Sequence, residues 1–187
     1  MKLASASVGV IDDKGTVKLQ WSAQPPDLAR SPMLAAIPVP PGKYRIRVAA
    51  IDDKGVTGAV DYDMDVALAE APPLKMGTMM VGVSDKGFTP KLVFTSVDTQ
   101  AVGLMELYGV PAGANVTSKF ELGETETSTP LGDAPGNIAV GPGEDGRRVF
   151  GGFGITTLAP GDYVMRATIM VDGKVVGRAA RTIRKTK

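Results

Sequence analysis

The chain of 187 residues contains no cysteine and no histidine. Without thiols there is no disulfide framework, no thiol nucleophile and no cysteine-ligated metal. Without imidazole there is no Ser-His-Asp triad, no histidine zinc site and no histidine acid–base catalyst. The formal charge is +1, so no global field draws nucleic acid or an anionic membrane surface. No apolar run approaches the roughly 20 residues that a membrane-spanning helix requires. Aromatic residues make up 5%, with one tryptophan and four tyrosines, which leaves few platforms for stacking a sugar ring. The opening "MKLASASVGVI" has an apolar part too short and too broken by serine for a secretory signal, and "DDKG" follows at once. It reads as a strand, with no signal peptide in this chain.

What the chain does have is glycine (23) and proline (14), distributed throughout. No segment sustains a 3.6-residue apolar period. Short runs rich in Val, Ile, Thr and aromatics alternate with turn clusters, the pattern of an all-β sandwich. The predicted strands are Ala4–Ile11, Thr16–Ser22, Met33–Pro38, Lys43–Ile51 and Val56–Leu68, then Thr78–Val83, Lys91–Ser96, Val102–Tyr108 and Asn115–Leu122. Asn137–Val140, Arg147–Thr157, Asp162–Val171 and Lys174–Ile183 complete the set. Prolines 72 and 73 cannot continue a sheet ladder. The expected organisation is therefore a short β unit over 1–70, a Pro-rich linker over 71–77 and a complete β-sandwich over 78–187. Both units are expected to be immunoglobulin- or fibronectin-III-like, the first of them incomplete or part of a larger domain. The polar stretch 123–136 reads as a mobile loop.

One phrase occurs nearly twice. "PPGKYRIRVAAIDDKGVTG" begins at Pro40 and "APGDYVMRATIMVDGKVVG" at Ala159; ungapped, they share Pro41/Pro160, Gly42/Gly161, Tyr44/Tyr163, Arg47/Arg166, Asp53/Asp172, Val56/Val175 and Gly58/Gly177. Pro and Gly turn the chain into a strand, and a Tyr there suits a tyrosine corner, its hydroxyl bonded to backbone upstream. Each copy predicts a hairpin. In the first, an Asp53-Lys54-Gly55 loop makes paired residue numbers sum to 108. Tyr44, Ile46, Val48 and Ala50 then share an apolar face with Met64, Tyr62, Val60 and Gly58, while Lys43, Arg45 and Arg47 oppose Asp65, Asp63 and Asp61. The second copy suggests an Asp172-Gly173 turn and a bulge near Gly177, with its register open.

Candidate sites are few. Asp61, Asp63 and Asp65 share a strand face and offer calcium-type oxygens, but the pairing already gives each a cation. The acidic turns Asp12-Asp13 and Asp52-Asp53 both read "IDDKG", ordinary turn chemistry with calcium as the sharper alternative. Glu106, Glu121, Glu124 and Glu126 are carboxylates without a pairing signal for glycosidase chemistry. Trp21 is expected in a core or a contact between units. "GEDG" and "GGFG" lack the context of a phosphate loop. "RTIRKTK" reads as a solvated last strand with weak anion binding as its alternative, and Asn115 begins an "NVT" sequon. No catalytic, cofactor or metal residue is assigned.

"VPPGKYRIRVAAIDDKGVTGAVDYDMDV", "GLMELYG" and "LAPGDYVMRATIMVDGKVVGRAART" resemble the C-terminal β-rich region of bacterial von Willebrand factor A-related (VWFA-related) proteins of the acidobacterial type, over about residues 35–185. The resemblance implies an Ig-like tail, an extracytoplasmic setting (secreted, periplasmic or cell surface) and a longer parent polypeptide. It does not extend to the VWA domain: no DxSxS run is present, so adhesion through that domain's metal site is not carried over. The expected function is a non-enzymatic structural or protein-interaction module, without cofactors, meeting a protein partner or neighbouring domains through edge strands and the loops 123–136 and 141–148, with no nucleic acid and no membrane insertion. The alternative is a carbohydrate- or calcium-binding accessory module.

Overall fold

A computed structural model describes residues 2–30, 33–85 and 87–187. Among them the secondary structure is strand apart from one short helix, α1 (Pro25–Leu28). The all-β expectation holds. The chain divides into two compact units, Met1–Ala67 and Leu68–Lys187.

The first unit is one antiparallel sheet of β1 (Leu3–Asp12), β2 (Val17–Ser22), β3 (Gly42–Asp52) and β4 (Thr57–Val66), ordered β2-β1-β3-β4. Its two "IDDKG" turns fold alike. In each, one Asp carboxylate oxygen accepts two backbone N–H groups: Asp12 from Lys14 and Thr16, Asp52 from Lys54 and Val56. Gly15 and Gly55 both sit at φ +80°, in the left-handed region where a side chain is strained. The β3–β4 register is the predicted one, from Lys43 opposite Asp65 to Ile51 opposite Thr57. The predicted strand Met33–Pro38 is instead irregular chain, because Pro38, Pro40 and Pro41 lack the amides a ladder needs. The connection that contains α1 packs against β1, and Ala6 and Val10 are buried.

The second unit has two sheets around one core. One contains β5 (Ala69–Ala71), β6 (Leu74–Met76), β7 (Met80–Ser84), β8 (Phe88–Pro90), β10 (Gln100–Tyr108), β13 (Asn137–Val140) and β14 (Arg147–Gly154). The other is ordered β12-β11-β15-β16-β9, from β12 (Gly132–Pro135), β11 (Val116–Gly123), β15 (Gly161–Val171), β16 (Lys174–Lys185) and β9 (Val93–Phe94). Phe94, Met105, Leu107, Phe120, Val149, Met165 and Ile169 are fully buried in a shared core. Phe120 and Met165 reach the opposite sheet so closely that a Cβ on Gly103 or Gly151 would fall within 3.0 Å of them.

The stretch 71–77 is not a linker. Ala69–Ala71 and Leu74–Met76 pair as a hairpin, and β6 pairs onward with β10. Prolines 72 and 73 occupy the two turn positions, where no ladder donor is lost. The division between units therefore falls just before this hairpin. In the β15–β16 hairpin the two-residue Asp172-Gly173 turn has φ +50° and +77°, and the register shifts beside Gly177, which pairs with Ile169. A Cβ there would run into the Met76 sulfur, so the bulge brings a bare backbone against the core.

Candidate functional site

Both predicted tyrosine corners form. The Tyr44 hydroxyl donates to Pro40 O and the Tyr163 hydroxyl to Ala159 O, each at 2.9 Å. Around each corner the strands follow one order. β2-β1-β3-β4 in the first unit matches β12-β11-β15-β16 in the second. Arg47 lies opposite Gly9 and Asp61, Arg166 opposite Glu121 and Ala180. The repeated phrase thus marks corresponding places in two sheets.

The acidic residues are largely engaged. Arg47 makes a two-pronged bond to Asp61 (2.7 and 2.6 Å), and Arg45 reaches Asp63 at 2.8 Å. Arg47 beside Asp61 holds its carboxyl below the usual range. Asp12 is lowered likewise, by the Thr16 amide first and by Lys18. An open groove of about 550 Å³ at the end of this sheet is lined by Asp12, Asp13, Asp63 and Asp65 together with Lys43 and Arg45. Among the described residues no three carboxylates stand close enough to hold a metal ion. Asp52 is buried and occupied by its turn, and Trp21 is half-buried on β2 opposite Val8.

In the second unit, Glu106 accepts from the Tyr108 hydroxyl (2.7 Å) and from Arg148 (2.9 Å). Burial pushes its carboxyl up, but these two donors outweigh it and the net shift is down. The bond to Glu106 and partial burial push the Tyr108 phenol up to about 12. Glu121 pairs with Lys119 at 2.9 Å and lies 3.6 Å from Arg166. Glu121 and Glu126 do share a groove of about 330 Å³, but Arg166 and Arg178 line it with them. Glu124 is exposed.

The loop predicted as mobile is tied down. Arg166 Nη1 donates to Glu126 O (2.9 Å) and Ser128 O (2.8 Å). Thr125 and Ser128 exchange backbone-to-hydroxyl bonds, and Gly132–Pro135 pairs with β11. Arg47 has an Asp across its hairpin, whereas its counterpart Arg166 faces Ala180 there and reaches the loop instead; with the second register open in the sequence, this partner carried no signal. The 141–148 loop is also closed, Gly141 N–H donating to Gly146 O and Val110 N–H to Asp145 O, both at 3.1 Å. Asn115 is exposed, its amide held by Asp172 Oδ1.

The basic C-terminal stretch is only partly solvated. Arg184 pairs with Asp162, but Lys185 is 6% exposed, and its ammonium donates to Thr95 O at 2.8 Å. Asp98 caps the Thr95 amide and pairs with Lys91 at 2.7 Å. This small polar knot anchors the last strand beside β9. Tail burial escaped the sequence reading because charge run and solvent exposure usually coincide.

No protein-family model and no curated protein matches the chain. Among solved structures, a DUF3823 family protein from Bacteroides ovatus ATCC 8483 is similar at 9% identity and a TM-score of 0.40, over 99% of this chain and 90% of that one.

Proposed function

We propose that the chain is a non-enzymatic protein-interaction module: two related immunoglobulin-like β units in tandem, the first reduced to one sheet, belonging to an extracytoplasmic protein of the VWFA-related type. The observation that carries the interaction reading is strand β4. It stands at a sheet edge with Val60 62% and Tyr62 67% exposed on one face, an arrangement suited to a protein partner. The carboxylates with chemical promise, Glu106, Glu121, Asp61 and Asp63, each sit beside a Lys or Arg that orients them. Within the second unit, the closed loops 123–136 and 141–148 add exposed surface of their own.

Site-specific photo-cross-linking in the source cells tests this reading, with the reactive group at Val60, Thr127 or Glu144 and a control at Lys18. A discrete protein adduct from one of the first three positions, absent from the control, is the expected result. A glycan-array hit or a melting temperature raised by millimolar calcium, without any protein adduct, replaces it with an accessory binding module.

A further inference from the structure

We infer that the second unit carries a binding groove for a neutral oligosaccharide on the outer face of β10 and β14. This goes beyond the interaction reading and does not rest on it. The groove encloses about 300 Å³ and follows the "GGFG" run of β14, residues 151–154. Alternation along the strand assigns the sides. Val149 is fully buried, and a Cβ on Gly151 would strike the Phe120 ring, so these two point into the core. Phe150, Gly152 and Gly154 therefore face outward, together with their cross-strand partners Leu104, Val102 and Gln100 on β10. The half-buried Phe150 and the exposed Asn137 opposite it form one wall. Gln100 and Ser84 form the other, over a floor of Val102 and the bare Gly152.

The ladder leaves backbone groups free along this groove. Ile155 N–H donates to Thr99 O at 3.0 Å, and Gly141 N–H to Gly146 O at 3.1 Å. Counting in twos from either contact gives one phase: Val149, Gly151 and Phe153 bond to β10, while Arg148 and Phe150 bond to β13. Gly152 and Gly154 thus turn their N–H and C=O groups away from β10. The pairing with β13 stops at Phe150, and among the described residues no other strand takes those groups up. Having no side chains, the two glycines let a ligand approach the backbone closely.

The lining selects the ligand. Among the described residues no Asp, Glu, Lys or Arg lines the groove, so it holds no counter-charge for a phosphate, a carboxylate or an ammonium. Its polar groups are two side-chain amides, a serine hydroxyl and the glycine peptides, which both donate and accept, as sugar hydroxyls do. Gln100 is already oriented: its Nε2 donates to Ser84 O at 2.6 Å, which leaves its carbonyl oxygen to accept from a ligand. The Phe150 ring offers an apolar surface to the C–H side of a sugar ring. A peptide strand is the wrong occupant. Only Gly152 and Gly154 present outward amides there, a free edge shorter than strands ordinarily need.

A glycan array of neutral and acidic oligosaccharides, probed with the full chain, tests the inference, followed by titration calorimetry with the glycan that binds best. Retention of neutral glycans in preference to acidic ones is expected. Phe150→Ala should then weaken binding about tenfold. Should that variant fail to fold by circular dichroism, Gly154→Leu is the second. A Cβ at Gly154 meets only Thr99 O, at 4.0 Å, and the added side chain should block the groove with a loss of at least about tenfold. No retained neutral glycan, equal retention of acidic ones, or unchanged affinity in the folded variant overturns the groove. Cross-links at Val60, Thr127 or Glu144 read other surfaces: a protein adduct without a glycan hit leaves the interaction reading standing and sinks the groove, and both together support both.

Discussion

The two corner-bearing sheets share strand order and hydrogen-bonded corners, yet they differ in what lies over them. In the second unit, Tyr163, Met165, Ala167 and Ile169 alternate along β15 as buried residues under a second sheet. Their counterparts Tyr44, Ile46, Val48 and Ala50 on β3 are half-buried, with β4 exposed beside them. The local instructions in the two phrases are nearly equivalent. Burial is therefore a property of the partner sheet and is absent from the phrase itself. The same holds for the arginines: Arg47 spends its guanidinium in a wet ion pair, while Arg166 straps a loop.

The comparison can be stressed at matched positions. The largest difference is expected at Ile46 and Met165. Met165→Ala opens a cavity in a closed core and should cost about 2–5 kcal/mol, whereas Ile46→Ala should cost about 1 kcal/mol or less. Hydrogen exchange resolved by unit measures both, and equal costs would show that the first sheet is covered in solution. Arg166→Ala comes next. It should free two loop carbonyls and open 124–131 to limited proteolysis, with a loss of about 1–3 kcal/mol, while Arg47→Ala leaves the protease pattern unchanged. Gly15→Ala and Gly55→Ala, at the same φ, should each cost about 1 kcal/mol; unequal costs in denaturant titrations would break the equivalence of the two turns.

The smallest effect is spectroscopic. Tyr108 holds its proton up to about 12 because Glu106 accepts from it. A phenol raised in the folded state contributes stability that is fully present below its unfolded value near about 10 and disappears as pH rises through the folded value. Ultraviolet titration should show one tyrosinate appearing near that upper value, lost in Tyr108→Phe. Glu106→Gln should bring it earlier.

Much of the first unit was legible because its determinants are local. One turn, Asp53-Lys54-Gly55, set a register that aligned Arg47 with Asp61, and the sequence carried every term of that prediction. The corner bonds of Tyr44 and Tyr163 were legible for the same reason. What failed was non-local. Prolines 72 and 73 read as a sheet breaker, but their place in a turn depends on β10 offering an edge to Leu74–Met76. The polar run 123–136 read as mobile because its clamp, Arg166, lies about 40 residues downstream. Composition could suggest neither partner, since both contacts join segments distant in sequence.

The buried ammonium of Lys185 makes the second unit self-reporting. Amine-reactive reagents should modify the exposed lysines of the folded chain at once and reach this one only when the last strand parts from Thr95. Its labelling rate, read by mass spectrometry, becomes a clock for the opening of that strand, supplied by the chain without an engineered probe.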